Sequence, residues 1–202
     1  MSPRSIGLAF AALVAGALLA FVAVTGMNRQ GGLPSPTITG TALVGGPFSL
    51  IDQTGKHVTE KDFLGRYTLV YFGFTNCPDI CPAGLQVMSA AIDKLGTKGA
   101  SITPVFITLD AQRDTPEKLA GYVKSFHPRL VGLSGTAENL ASAAKAYRVY
   151  SQKVEDDKSP GNYSYDHAAI FYLMGKDGVF ITHIPHTTDV DELVRTLSAA
   201  IP

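Results

Sequence analysis

The sequence predicts an α/β domain whose central, mainly parallel sheet is covered by helices on both faces. Two apolar runs rich in aromatic and β-branched residues, YTLVYFGF at 67–74 and ITPVFITL at 102–109, are typical of strands buried on both faces. An amphipathic helical pattern follows each run, and this alternation of strands and helices favours a parallel sheet.

The first elements are a hairpin, a strand and a helix. The stretch PFSLIDQTGKHVT at 47–59 has alternating apolar residues on either side of the Asp52–Gly55 turn, which predicts the hairpin. The strand at 67–74 then leads directly into a helix that ends near Gly96. Pro82 suits the first helical position, and apolar residues recur at helical spacing: Leu85, Met88, Ile92 and Leu95.

The remaining elements complete a thioredoxin-like pattern. They are, in order, the strand at 102–109, a helix starting at 114–116, a strand at 130–133, a helix through Tyr147, a polar surface loop at 151–165, a hairpin of strands at 167–174 and 179–184, and a last helix. Thr136 is the predicted cap of the helix that ends at Tyr147. Thr188 is the predicted cap of the last helix, with Asp191 three residues on as an imperfect capping box. The antiparallel ending and the strand-to-helix corner with two cysteines favour this variant. The predicted fold class is therefore an α/β thioredoxin-like fold with an N-terminal β-hairpin extension.

One transmembrane helix is expected before this domain. Ile6–Gly26 is an uncharged run of 21 residues. At about 1.5 Å per residue it would reach roughly the 30 Å of a bilayer's hydrocarbon core. The run is long for a signal peptide and no A-x-A cleavage site follows it, so an uncleaved anchor is favoured. We expect a membrane anchor at 1–27, a flexible Gly-, Pro-, Ser- and Thr-rich linker at 28–46, and the folded domain at 47–202.

Charge argues against a nucleic-acid partner. Of the 17 basic residues only Arg4 and Arg29 precede residue 47, whereas all 17 acidic residues follow it. The predicted domain therefore carries 15 basic and 17 acidic residues, a net charge of minus two. Nucleic-acid binding requires clustered positive charge to displace counterions.

The stretch TNCPDICP at 75–82 contains the chain's only two cysteines, Cys77 and Cys81. A structural disulfide between them would close a very short loop and would stabilise the fold little. A redox-active pair is a second interpretation, in which the helix N-terminus lowers the pKa of Cys81. A metal site is the third, since two thiolates one helical turn apart favour Cu(I), with zinc as the rival.

A metal site needs a third ligand, and five histidines are candidates. His57 follows the hairpin turn and is interpreted as solvated. His127 stands at a helix end, where its positive charge would suit the helix dipole. His183 and His186 flank a proline and are interpreted as loop residues. His167 lies where a polar loop enters an apolar strand, a position that this fold brings opposite the cysteines, so we favour it as the ligand.

Three segments resemble the Sco (SenC/PrrC-like) family of membrane-anchored, thioredoxin-fold proteins. They are YFGFTNCPDICP at 71–82, ITLDAQRDTPE at 107–117 and YSYDHAAIFYLMGKDG at 163–178. The resemblance implies copper ligation by Cys77, Cys81 and His167, as Cu(I) and also as Cu(II). It implies a metallochaperone that assists assembly of the CuA centre of cytochrome c oxidase.

The same resemblance implies partners and a location. The partners are the CuA-bearing oxidase subunit, the membrane, and other copper chaperones or thiol reductants. The location is the inner (cytoplasmic) membrane, with a single pass and the domain on the periplasmic or extracytoplasmic side. Two alternatives stay open: a thiol–disulfide oxidoreductase that reduces the cysteines of the oxidase copper site, and a redox or copper sensor. Whether the chain is an enzyme is left undecided, with a metallochaperone favoured.

Two acidic positions and one departure from the family pattern accompany the ligand set. Asp79 lies between the cysteines and is expected to tune charge near the metal. Asp110, with Arg113 and Asp114, is expected to order the neighbouring loop. Asn76 stands where family members often have histidine, and because that position is not a family ligand, the site is expected to be intact.

Overall fold

Nine strands form in residues 43–155 and 162–202, which are the residues that the computed structural model describes. In chain order they are β1 (Ser49–Asp52), β2 (His57–Thr59), β3 (Tyr67–Gly73), β4 (Ile102–Thr108), β5 (Val131–Ser134), β6 (Ser151–Glu155), β7 (Tyr163–His167), β8 (Ile170–Met174) and β9 (Phe180–Pro185). Seven of these strands form one sheet in the order β2-β1-β5-β4-β3-β8-β9. Strands β3, β4 and β5 are parallel, and β8 runs antiparallel to β3, as the sequence predicted.

Five α-helices and one 3₁₀ helix occur in the same described residues. They are α1 (Ile80–Lys94), α2 (Thr97–Ala100), α3 (Pro116–Val123), α4 (Ala137–Ala146), α5 (Val190–Ala200) and the 3₁₀ helix Glu60–Phe63. The predicted cap of α4 is confirmed, because Thr136 Oγ1 accepts a hydrogen bond from Asn139 N at 3.2 Å. The predicted cap of α5 was wrong by one residue: Asp189 caps this helix and accepts from Glu192 N at 2.8 Å.

The sheet separates two apolar cores. On one face Leu69 and Tyr71 of β3 pack in a core with Leu85 of α1 and Leu193 of α5. On the other face, apolar residues of β3 and β4 pack with α4 and the N-terminal hairpin. Both faces of the central strands are therefore covered, which explains the continuous apolar runs at 67–74 and 102–109.

The polar stretch that follows α4 is where the prediction failed. We expected a surface loop at 151–165, but β6 and β7 pair there as a separate antiparallel ribbon, with Ser151 opposite His167 and Glu155 opposite Tyr163. We also expected one strand from His167 to Met174. The structure instead ends β7 at His167 and begins β8 at Ile170, so His167 terminates the ribbon.

The predicted anchor at 1–27 and most of the predicted linker at 28–46 lie outside the described residues. Within residues 43–155 and 162–202, no helix is long and apolar enough to cross a membrane.

Candidate metal site

The cysteines lie at the corner between β3 and α1. Cys77 lies in a turn, and its backbone N–H donates to Phe74 O at 3.2 Å. Cys81 belongs to the first turn of α1. Because the helix begins there, the backbone N–H of Cys81 is free of an intrahelical partner and donates to Cys77 Sγ at 3.3 Å. Both thiols are free, with Cys77 partly exposed and Cys81 fully buried.

This geometry gives the two thiols opposite acidities. A hydrogen bond from the Cys81 side chain, assisted by backbone N–H groups of Cys81 and Asp79, lowers the pKa of Cys77 to about 5 despite partial burial. The same hydrogen bond, together with burial, raises the pKa of Cys81. The expectation that the helix N-terminus would lower the pKa of Cys81 was therefore wrong. The helix N–H group stabilises the sulfur of Cys77, which lies outside the helix.

His167 reaches the cysteines from the end of β7. Its Nε2 lies 3.6 Å from Cys81 Sγ, and its ring stands edge-on to Phe74 with the ring centroids 6.0 Å apart. Burial lowers the pKa of His167, so the imidazole is neutral at pH 7, which is the form that binds metal. Its Nδ1 is buried and makes no hydrogen bond within the described residues. Nε2 is therefore the ring nitrogen that faces the cysteines.

The two sulfurs and the imidazole of His167 are suitable ligands for a soft metal ion. Across residues 43–155 and 162–202, no three His, Cys, Asp or Glu side chains already form a cluster able to hold a metal. The 3.6 Å between Cys81 Sγ and His167 Nε2 matches the separation of two ligands on one metal ion, about 3.5–3.8 Å for bonds of about 2.3 Å to sulfur and about 2.0 Å to nitrogen. Two sulfurs and one neutral imidazole are donors that Cu(I) and zinc accept.

Gly73 permits the close approach of Cys81 to the sheet. A Cβ atom at this position would meet Cys81 Sγ at 2.8 Å and Phe106 Cε2 at 2.9 Å. Every larger residue would therefore push the second sulfur away from its position. Gly73 is a site-forming residue that the sequence did not single out, although it stands as the only glycine in the buried run at 67–74.

The other histidines do not join this site. His57 is exposed, and His183 lies within β9 with its ring stacked on Phe180, not in a loop as expected. His127 is buried beside Asp93, and burial lowers its pKa, so the charged form expected at the helix end is disfavoured. His186 Nδ1 lies 3.1 Å from Ala169 O, two residues beyond His167.

The acidic residues near the cysteines occupy two different environments. The Asp79 side chain makes no capping hydrogen bond, and this exposed residue lies between the two cysteines in the chain. Asp110 and Asp114 are fully buried and accept hydrogen bonds from their surroundings. Two of their donors, Thr75 and Tyr163, were not predicted, because they lie 39 and 53 residues away along the chain.

Comparison with known proteins places the chain in a family. The family model described as SCO1/SenC matches residues 36–202. The chain belongs to the SCO1/SenC family. It is 48% identical over 155 residues to Protein SCO1 homolog 1, mitochondrial, of Arabidopsis thaliana, covering 76% of this chain and 46% of that protein. It is 44% identical over 161 residues to the human protein named Protein SCO1 homolog, mitochondrial, covering 79% of this chain and 53% of that protein.

Solved structures agree with this assignment. The crystal structure of Arabidopsis thaliana ScoI with copper bound superposes with a TM-score of 0.74 at 45% sequence identity, covering 78% of this chain and 97% of that one. The thioredoxin-like α/β fold of the family is therefore the fold of this chain. The chain spans about half the length of the Arabidopsis and human Sco proteins.

Proposed function

We propose that this chain binds copper through Cys77, Cys81 and His167 and assists assembly of the CuA centre of cytochrome c oxidase. The observation that carries the proposal is the approach of a neutral imidazole to within 3.6 Å of the inner of two free thiols. Membership of the SCO1/SenC family supports it, as does the bound copper of the Arabidopsis relative.

The protonation states suggest how copper is held. Cys77 is already a thiolate at neutral pH, whereas Cys81 must lose its proton when it binds the metal. Two thiolates, a neutral imidazole and Cu(I) sum to minus one, and the sum with Cu(II) is zero. Neither oxidation state places a large uncompensated charge in the partly buried site. Exchange with a partner's disulfide would oxidise Cys77 and Cys81 to a disulfide and pass two electrons to the partner as two thiols, so both thiolate ligands would be lost and the metal released.

The position of the third ligand suits a donor of copper. His167 ends a ribbon that lies outside the main sheet, so it can withdraw without breaking the sheet's hydrogen bonds. A site that loses one ligand is left with two-coordinate copper, which a recipient's ligands can capture. The proposed recipient is the oxidase subunit that carries CuA. Other copper chaperones or thiol reductants would load or reduce the site.

A membrane anchor completes the proposal. The uncharged run Ile6–Gly26 would hold the chain in the inner membrane as a single span, and the linker at 28–46 would let the domain reach a membrane-bound oxidase. The domain would stand on the periplasmic side. Protease protection of the domain in intact spheroplasts would contradict this topology.

A thiol–disulfide reductase is the second candidate, and the pKa of about 5 at Cys77 favours it. Cys77 thiolate would attack a disulfide in the recipient's copper site and form a mixed disulfide. Cys81 would then attack Cys77 Sγ, which leaves the recipient with two thiols and this chain with a Cys77–Cys81 disulfide. The two electrons come from this chain's thiols, and an external thiol reductant restores them.

Anaerobic titration of the reduced full-length chain with Cu(I), against a chromophoric chelator, tests copper binding. We expect one tightly bound copper per chain, strong preference over zinc, and transfer to an apo CuA domain on mixing. His167→Ala should greatly weaken copper binding but leave exchange with a small disulfide largely intact, because only the first reaction uses the imidazole. Unchanged copper affinity in this variant would refute the three-ligand site. Binding without transfer to the CuA domain would favour a sensor.

A further inference from the structure

The segment from Asp110 to Asp114, here named the brace, contacts both halves of the candidate site. These are the cysteine half, which is the turn that carries Cys77 and Cys81, and the histidine half, which is the β6–β7 ribbon that carries His167. It begins two residues after the end of β4, and it carries a buried carboxylate at each end. Both carboxylates are fully removed from solvent. Burial of a carboxylate is costly unless hydrogen bonds or charges compensate it, so the partners of each one show what the brace holds.

Asp114 holds the cysteine half. Its Oδ2 accepts from Thr75 N at 2.9 Å, and its Oδ1 accepts from Thr75 Oγ1 at 2.5 Å. Oδ2 also accepts from Thr108 Oγ1 at 2.5 Å, and Lys118 Nζ lies 3.6 Å from Oδ1. Thr75 stands two residues before Cys77, so this carboxylate ties the cysteine turn to the end of β4.

Asp110 and Arg113 hold the histidine half. Asp110 Oδ1 accepts from the Tyr163 hydroxyl at 2.9 Å, and its other oxygen forms an ion pair with Arg113 Nε. Arg113 in turn donates from Nη1 to Tyr163 O at 3.0 Å, and its guanidinium carbon lies 3.7 Å from the centroid of the Tyr163 ring. Tyr163 is therefore held by its hydroxyl, its carbonyl and its ring face.

Tyr163 and His167 are the two ends of β7. A strand rises about 3.3 Å per residue, so β7 is about 13 Å long from Tyr163 to His167. Contacts that hold Tyr163 in place therefore restrict the strand that carries the imidazole. The ribbon has no ladder to the main sheet, and Tyr165 packs on Phe74 with ring centroids 5.6 Å apart. The polar contacts of the brace therefore supply orientation that the sheet does not.

We propose that the brace is a positioning device: through Asp114 and Thr75 on one side, and through Asp110, Arg113 and Tyr163 on the other, it sets how closely His167 stands to the two sulfurs. The copper part of this inference rests on the proposed function. The brace residues are positioning residues, and they act through the cysteine turn and the ribbon.

Tyr163→Phe is the sharpest test of the histidine side, because it removes the hydroxyl that Asp110 accepts and keeps the ring under Arg113. Tyr150→Phe is the matched control, since Tyr150 directly precedes β6 and its hydroxyl donates to Gln152 Oε1 at 2.7 Å at an exposed position. In the full-length chain, Tyr163→Phe should weaken Cu(I) binding about tenfold, the order expected for one hydrogen bond to a charged group. Tyr150→Phe should leave Cu(I) binding unchanged.

A double-mutant cycle decides whether Tyr163 acts through His167. In a His167→Ala background, Tyr163→Phe should have no further effect on Cu(I) affinity, because the ligand that it positions is gone. An equal loss in both backgrounds would overturn the proposal, since it would indicate a general effect on folding. Thr75→Val probes the cysteine side and should weaken Cu(I) binding in both backgrounds. No loss in either background would overturn that half.

Hydrogen exchange of the metal-free chain separates the brace from copper binding. Tyr163→Phe should accelerate exchange of the amides that pair β6 with β7, without changing exchange in β3 and β4. If the wild-type chain failed to bind Cu(I) but Tyr163→Phe still accelerated exchange in the ribbon, the proposed copper function would be wrong. The inference that the brace positions the ribbon would still hold. Unchanged ribbon exchange would overturn the brace.

Discussion

Replacement of Cys81 by alanine should raise the pKa of Cys77, and alkylation of Cys77 measures this directly. The Cys81 side chain supplies the largest contribution to the low pKa of Cys77, ahead of the backbone N–H groups and of the positive charge that His167 carries when protonated. Cys81→Ala removes that hydrogen bond and leaves the backbone of the helix in place. His167→Gln is the matched control, since it removes the smallest of these contributions.

The expected size of the effect follows from the thiolate fraction. At pH 5.5 a thiol with a pKa of about 5 is roughly three-quarters thiolate, whereas one at the ordinary value of 9.0 is about 0.03% thiolate. The lower basicity reduces intrinsic nucleophilicity by about 40- to 100-fold for a Brønsted slope of about 0.4–0.5. Cys77 should therefore react about 20- to 60-fold faster than an ordinary thiol at pH 5.5, and at a similar rate near pH 7.

The assay is the rate of iodoacetamide alkylation of the reduced, metal-free chain between pH 4.5 and 9.5, with the modified cysteine located by mass spectrometry. In the wild type, the Cys77 rate should rise through about pH 5 and then level off, and buried Cys81 should stay unmodified. Cys81→Ala should move the midpoint upward by more than His167→Gln does. A wild-type midpoint near 9, or one that Cys81→Ala leaves in place, would refute this account of the two thiols.

Three further predictions concern stability and are measured by urea unfolding of the metal-free chain. Leu85→Ala should lower the unfolding free energy by about 2–5 kcal/mol, because it empties a fully buried position under α1. Tyr71→Phe should raise it by about 1 kcal/mol, since the buried Tyr71 hydroxyl has no partner within the described residues. Asp189→Ala should cost about 0.5–2 kcal/mol as the loss of a helix cap, whereas Thr188→Ala should cost little; equal losses would contradict the assigned cap.

The central sheet and the cysteine corner were predictable because their signals are local. A strand buried on both faces shows as a continuous apolar run, and Tyr67–Gly73 is buried at every position. The helix that follows shows its buried stripe at 3.6-residue spacing, with Leu85 and Met88 facing the core. Neither inference requires knowledge of distant contacts.

The ribbon was missed because one of its strands has no buried face. All five residues of β6 are exposed, so their sequence shows no apolar alternation. β7 does carry a usable signal: Tyr163, Tyr165 and His167 are partly buried and alternate with exposed Ser164 and Asp166. This period of two would have placed His167 at the end of a strand of its own.

The acidities of the cysteines and the contacts of the brace depend on three-dimensional placement. Position beside a helix N-terminus suggested a low pKa for Cys81, but the first-turn N–H group points at Cys77 Sγ while Cys81 is buried. The contacts of Asp114 with Thr75, and of Asp110 with Tyr163, join segments far apart in the chain. A single sequence offers no local pattern for such pairs.

The ligand set around copper is the central claim, and X-ray absorption at the copper edge of the Cu(I)-loaded full-length chain tests it most directly. We predict a first shell of two sulfur atoms and one imidazole nitrogen in the wild type. His167→Ala should lose the scattering of the imidazole ring and keep both sulfurs, and Cys77→Ser should lose one sulfur. A wild-type spectrum without an imidazole contribution, or one that His167→Ala leaves unchanged, would contradict the assignment.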